Sequence, residues 1–249
     1  MKTLAVASQK GGVGKSSTTA AINAGLRREG KKVLCVDMDS QANLSAMLGA
    51  KITGRTVYDI LTGHSIRNAI QETDQALIIA GSPKLAEKGL LQGRNAEYRL
   101  YNALQPFRGE FDVCLIDCGP SLGTVTHAAL AASDSVLIPC KADRFSLDAL
   151  RQIAATVNDV KDGVNKRLTV AGVLITIYER RLTVARLMRE QIEKQAGALG
   201  YYVYPTAIRK CVAIEEAQVT GEDIFSAGKN NAADDYGEIV KELMDQLEL

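Results

Sequence analysis

Short, unbroken apolar runs alternate along the chain with stretches in which apolar residues recur every three to four positions. The unbroken runs predict strands over residues 2–8, 32–36, 76–80, 111–116, 135–139, 168–177 and 201–204. The wider spacing predicts helices over 16–29, 57–61, 65–72, 95–106, 123–132, 146–161, 183–198 and 232–247. Strands apolar on both faces and alternating with helices predict an α/β fold. Its sheet should be mostly parallel and twisted, with helices on both faces. No internal repeat, low-complexity tract or Pro/Gly/Ser-rich linker breaks the order, so one domain over residues 1–249 is expected.

Composition adds limits. With 46% hydrophobic and 24% charged residues the chain is ordinary for a globular protein. A net charge of +1 gives no global field for nucleic acid, so any such binding needs a local patch. The cysteines Cys35, Cys114, Cys118, Cys140 and Cys211 are odd in number and form no C-x₂-C pair. Four of them sit in or beside apolar runs and read as small buried hydrophobes in a reducing, cytoplasmic compartment. Residues 1–8 read as a strand rather than a signal peptide, and no apolar run approaches the ~20 residues of a membrane span.

The candidate chemistry gathers after the strands. Gln9-Lys-Gly-Gly-Val-Gly-Lys-Ser-Ser-Thr-Thr19 lies between the first strand and the first helix, which is the context a phosphate loop requires. The backbone N–H groups of Gly11, Gly12, Val13 and Gly14 would form an anion nest, and the helix N-terminus adds partial positive charge. Lys15 should reach the β- and γ-phosphates of a nucleoside triphosphate, and the Ser16 hydroxyl should ligate Mg²⁺. In an open parallel sheet ligands sit beyond the carboxyl ends of the strands. Polar clusters stand at two such ends, Asp37-Met-Asp39-Ser-Gln41 and Asp117-Cys-Gly-Pro-Ser121. Asp117 has the setting of a Walker B carboxylate acting on the metal directly or through water, the plainer role being a helix cap. Asp37 and Asp39, two apart, share one side of an extended segment. One fits the metal shell and the other an attacking water, or both are acids of a solvated loop.

Lys10 has no role in an ordinary phosphate loop. With it, Lys10-Gly-Gly-Val-Gly-Lys-Ser-Ser17 resembles the deviant Walker A motif, and the chain resembles the ParA/Soj-type partition ATPases of the MinD/ParA superfamily. The resemblance continues through Val36–Asn43, Thr56–Gly63, Phe111–Gly123 and Ala128–Asp134, and more weakly through Leu174–Tyr178 and Glu215–Ala217. It implies a homodimer sandwiching two ATP molecules with Mg²⁺. Lys10 would reach the partner's phosphates as an arginine finger does. Asp39 would position the hydrolytic water, Asp117 would serve the metal and Ser17 would touch the α-phosphate. Thr176 and the stretch from Pro205 to Ile208 would contact adenine. The resemblance further implies a ParB-type centromere-binding partner that stimulates slow hydrolysis, and a nucleoid-associated place in the cytoplasm. Departures are Ser16-Ser17 for the family's usual Thr-Thr, Gly119 for a proline, and Ala207-Ile208-Arg209 for Ile-Pro-Arg.

Two functions fit. A DNA-partition ATPase would use Arg180, Arg181, Arg186, Arg189, Arg209 and Lys210 as a basic patch, Arg186 and Arg189 sharing a helix face. No aromatics interleave and no helix-turn-helix precedes the loop, so contacts would be to phosphates, sequence-independent and salt-sensitive. The plain alternative is a solvated basic helix face. The second function is a MinD-like or orphan positioning ATPase for a protein cargo or division component, without DNA. A basic membrane-binding helix is not expected, because the amphipathic segment 232–249 carries six acids against Lys241 and should pack on the domain. Cys118 and Cys140 read as buried residues rather than ligands of an iron–sulfur cluster.

Overall fold

Six of the seven apolar runs become strands, and a further strand arises within 65–72; among the described residues the strands are β1 (Lys2–Val6), β2 (Val33–Met38), β3 (Ile70–Glu72), β4 (Leu77–Ile79), β5 (Val113–Cys118), β6 (Ser135–Lys141) and β7 (Thr169–Thr176). A computed structural model describes residues 1–226 and 228–249. Nine α-helices lie among the described residues. The first five are α1 (Lys15–Arg28), α2 (Asn43–Met47), α3 (Val57–Leu61), α4 (Arg99–Leu104) and α5 (Thr124–Ala131). The others are α6 (Phe145–Gly163), α7 (Thr183–Ala198), α8 (Val212–Thr220) and α9 (Asn231–Leu247). The strands form one sheet in the order β3-β4-β2-β5-β1-β6-β7. Every pairing is parallel except β3 with β4.

Successive strand residues point to opposite faces, and both faces are apolar because both are covered. Ala5, Val36, Ile116 and Ile138 pack with α3 to α7 on one face. Leu4, Cys35, Leu115 and Leu137 pack with α1, α2 and α9 on the other. α9 buries Tyr236, Ile239, Val240, Leu243 and Leu247, so the acidic C-terminal helix packs on the domain as its pattern predicts. Its approach to α1 needs Gly25, where a Cβ would stand 2.6 Å from Val240 Cγ2.

Some elements differ from expectation. Residues 65–72 are a 3₁₀ turn (Ile66–Asn68) followed by β3, an edge strand antiparallel to β4. Thr73 closes that hairpin with its hydroxyl, which accepts from the Ala76 N–H at 3.0 Å, a local bond that competes with helix. Residues 201–204 make only two backbone bonds to β7, from Val173 N–H to Tyr202 C=O (2.8 Å) and from Tyr204 N–H to Val173 C=O (3.0 Å). The stretch 95–106 breaks into a 3₁₀ turn, α4 and a second 3₁₀ turn containing Pro106. α2 and α8 are not foreseen by the sequence pattern. β2 and β5 run on to Met38 and Cys118, so Asp37 and Asp117 lie inside strands, directly paired in register.

Candidate active site

The glycine loop follows β1 and opens α1. Gly12 (φ +69°) and Gly14 (φ +81°) are in the left-handed region, and a Cβ at either would meet nothing within 4 Å. Their role is therefore backbone conformation, which turns successive N–H groups toward one point. Thr176, at the end of β7, donates its hydroxyl to the Val13 C=O at 2.8 Å and pins the loop. Lys15 is buried and donates from Nζ to the Lys10 C=O at 2.9 Å. Burial pulls its pKa down, while Asp117 and Asp39 oppose the shift.

Three carboxylates stand at the carboxyl ends of β2 and β5 in different settings. Asp117 is fully buried; its Oδ1 accepts from the Thr19 hydroxyl at 3.3 Å, and its Oδ2 has no partner. Burial pushes the Asp117 carboxyl up to about 8 and the neighbouring Asp37 adds to the shift, while Ser16 and Lys15 oppose it. An orphan buried carboxylate oxygen beside a serine hydroxyl is a donor set suited to a hard divalent cation. Asp37 is equally buried but holds three donors: Oδ2 accepts from Ser45 N–H (2.8 Å) and Ser45 Oγ (2.7 Å), and Oδ1 accepts from Asp39 N–H (3.0 Å). Asp37, expected beside Asp117 in the metal shell, thus already has three donors from the chain itself. Asp39 is nearly buried and its Oδ1 accepts from Gln41 N–H at 3.0 Å. Gly119 makes room for it, since a Cβ there would stand 3.2 Å from Asp39 Oδ1.

Lys10 stands just before the glycines. Its Nζ is ion-paired to Asp143 and sits 5.5 Å from the centroid of Phe145, a ring 73% exposed. Burial pushes the Asp143 carboxyl up, but Lys10 and the bonds from Ser146 outweigh it and hold the group below the usual range.

Beside these groups opens a cleft of about 800 Å³, walled by the glycine loop, Asp39, Thr176, Ile208 and α8. Ser17 lines it and accepts from Gln218 Nε2 on α8 at 2.7 Å. Pro205 does not line it; its carbonyl accepts from Arg189 Nη2 at 2.9 Å on the outside. The basic cluster is likewise not one free patch. Arg209 makes bonds of 2.6–3.0 Å to the buried Asp235 carboxylate through Nε and Nη2. Arg189 pairs with Glu193 at 2.7 Å, and Lys210 with Glu179 at 3.4 Å. Arg180, Arg181 and Arg186 are exposed and make no ion pair among the described residues, although Arg186 hydrogen-bonds the Arg180 C=O and Thr183. Cys118 and Cys140 are buried, and burial pushes both thiols up, away from the thiolate form. Among the described residues no helix is long and apolar enough to cross a membrane.

A pinned glycine nest opening a helix, next to a strand-borne carboxylate on the same sheet edge, defines a P-loop nucleotide-binding protein, and Lys10 ahead of the glycines sets it in the deviant Walker A class. A family profile described as AAA domain matches residues 1–170. The chain is 34% identical over 250 residues to the chromosome partitioning protein ParA of Myxococcus xanthus, covering 97% of this chain and 87% of that one. It is 35% identical over 251 residues to the chromosome-partitioning ATPase Soj of Treponema pallidum, covering 98% and 97%. A Mycobacterium smegmatis structure described as cobyrinic acid a,c-diamide synthase, with bound ADP and magnesium, aligns with a TM-score of 0.87 at 30% identity, covering 100% and 96%. The chain belongs to the ParA/Soj family of P-loop ATPases.

Proposed function

We propose that the chain is an ATPase that dimerises on Mg²⁺–ATP and in that state holds nonspecific DNA, partitioning a plasmid, chromosome or integrated element with a ParB-type partner that stimulates slow hydrolysis. The observation that carries the reading is Lys10. It stands one residue ahead of Gly11, the first loop residue that walls the cleft, and among the described residues Asp143 and Phe145 engage its ammonium. A cation so placed is suited to the phosphates of a second copy bound across the cleft.

The remaining roles follow from the local chemistry. Loop N–H groups and Lys15 bind the phosphates, and burial of Lys15 strengthens that attraction. Ser16 and Asp117 would hold Mg²⁺, which supplies positive charge against the phosphate oxygens. The donors on Asp37 leave it a supporting role instead. Asp39 is the carboxylate left to orient an attacking water. Thr176 and Ile208 border the nucleotide, Thr176 chiefly by holding the loop. DNA contacts fall to Arg180, Arg181 and Arg186, doubled in the dimer so that ATP gates them.

Light scattering on Asp39→Ala with saturating ATP tests the switch: a dimer is expected, and a persistent monomer overturns the mechanism. Gel shift on random duplex DNA tests the cargo. An ATP-dependent, salt-sensitive shift that Arg180→Ala, Arg181→Ala and Arg186→Ala together abolish supports partition. The internal pairing of Arg189, Arg209 and Lys210 favours the second function, a positioning ATPase for a protein cargo. A dimer that gives no shift selects that reading.

A further inference from the structure

We propose that Ser45 is a positioning residue for ATP hydrolysis, fixing Asp39 through Asp37 and Gly81. The inference rests on the reading in which Asp39 orients the attacking water.

Asp39 stands just past the end of β2, and among the described residues its carboxylate has one hydrogen-bond partner, the Gln41 N–H. Its placement therefore depends on its backbone, which is fixed at both ends. The Asp39 N–H donates to Asp37 Oδ1 at 3.0 Å. The Asp39 C=O accepts from Ala42 N–H at 3.0 Å and lies against Gly81, where a Cβ would stand 2.8 Å away. A single hydroxyl ties these supports together. Ser45 Oγ donates to Asp37 Oδ2 at 2.7 Å and accepts from Gly81 N–H at 2.8 Å. Ser45 and Asp37 are fully buried, and Ser45 is not among the residues that wall the cleft. Ser45 thus joins β2, the start of α2 and the segment after β4 into one rigid support behind the carboxylate that needs accurate placement.

Removing the hydroxyl leaves Gly81 N–H without its acceptor and Asp37 Oδ2 with one donor fewer. Asp39 can then drift, and a drift of about 1 Å in a catalytic group costs as much as 100-fold in rate. Nothing in the phosphate nest changes, so nucleotide binding should not follow.

The test compares wild type, Ser45→Ala and Gly81→Ala in steady-state hydrolysis and in binding of a fluorescent ATP analogue, with melting curves confirming the fold. Ser45→Ala should lower kcat about 10-fold or more, with KM and analogue affinity within about 2-fold of wild type. Gly81→Ala would set a Cβ 2.8 Å from the Asp39 carbonyl oxygen and 2.9 Å from Asp37 Cγ, and should show the same split. It keeps the test decisive if Ser45→Ala does not fold. Asp39→Ala separates the two levels of inference. If Asp39→Ala hydrolyses ATP like wild type, the role given to Asp39 falls. If Asp39→Ala is inactive while Ser45→Ala and Gly81→Ala keep wild-type kcat, the positioning role alone is overturned. A parallel fall in kcat and nucleotide affinity also overturns it, because the network would then support the whole site.

Discussion

Replacing Asp143 by Asn should tighten the ATP-bound dimer. In the free chain Lys10 pairs with Asp143 Oδ2 and stacks toward Phe145. On the proposed function Lys10 leaves this pair for the phosphates of a second copy, so the pair opposes closure. Asn keeps an Oδ1 acceptor for the Ser146 N–H and hydroxyl, each now at 3.1 Å, and puts an uncharged NH₂ donor where the Oδ2 that accepts from Lys10 stands, so the pair is lost. The two side chains are 24% and 29% exposed, between a surface ion pair and a buried one. That places the pair at about 1 kcal/mol, above most exposed pairs and below buried charge-assisted bonds. Closure breaks two such pairs per dimer, about 2 kcal/mol, which corresponds to a dimer dissociation constant about 30-fold lower. Sedimentation of Asp39→Ala and Asp39→Ala/Asp143→Asn over a concentration series, in saturating Mg²⁺–ATP, measures the difference. Lys10→Ala in the same background loses the contact to the second copy and should dimerise more weakly than either. Equal or weaker dimerisation of the Asp143→Asn protein would refute the claim that the pair restrains Lys10.

Three further outcomes are expected. Gly25→Ala puts a Cβ 2.6 Å from Val240 Cγ2 and should cost about 1–3 kcal/mol of stability, read as a lower melting temperature that Val240→Ala partly restores. Arg209→Ala strands the Asp235 carboxylate, whose side chain is 8% exposed; with the arginine itself 43% exposed, a loss of about 2 kcal/mol is expected by thermal melting, and Arg209→Lys should recover only part of it. The third outcome concerns pH. Asp117 titrates at about 8 in the folded chain and near 4 when unfolded, so between those values the folded state holds a proton that the unfolded state has lost. Its contribution to stability is therefore present at low pH and is lost as pH rises to about 8. Without metal or nucleotide, Asp117→Asn should gain in melting temperature over wild type from pH 5 to pH 8, and a gap that stays constant would refute the shift.

What the sequence disclosed depended on whether a feature is local. The glycine loop, Lys15 and the strand-borne Asp117 are legible because their roles follow from order along the chain. The long amphipathic helices α6, α7 and α9 are legible because burying one face of a 3.6-residue period is what holds them. α8 is not, because none of its residues is fully buried and its pattern carries no strong apolar face. α2 has five residues and depends on Asp37, in the preceding strand, accepting from Ser45 N–H. β3 was hidden because Ile70–Glu72 becomes a strand only by pairing with β4, while the hairpin that brings them together is set by Thr73. Tyr201–Tyr204 reads as a strand on β-propensity alone. The segment makes two backbone bonds to β7 and is otherwise held by side-chain packing, including Tyr204 against Gly172, where a Cβ would be 2.7 Å from the ring. The pairing within the basic cluster was hidden for a related reason. Charge along the chain shows where arginines are, but only the fold shows that Asp235 and Glu193 already engage two of them.

The acids Asp37, Asp39 and Asp117 show how environment divides work that residue type cannot. Asp37 and Asp117 are Cα partners on neighbouring strands, so two buried carboxylates face the same pressure to stay neutral. Ser45 and the Asp39 N–H place three donors on Asp37, which favours its charge, while Asp117 has one hydroxyl donor and an orphan oxygen. The pair is thereby made unequal: one acid is fixed as a support, and the other is left with unmet demand for a positive partner. Asp39, two residues beyond Asp37 at the cleft, escapes the sheet interior and keeps a carboxylate with few partners. A donor-rich acid, an orphan acid and a rim acid on one sheet edge suit support, metal binding and water orientation respectively. The signal that sorts them lies in Ser45, Gly81 and Gly119, residues that carry no charge and do not wall the cleft.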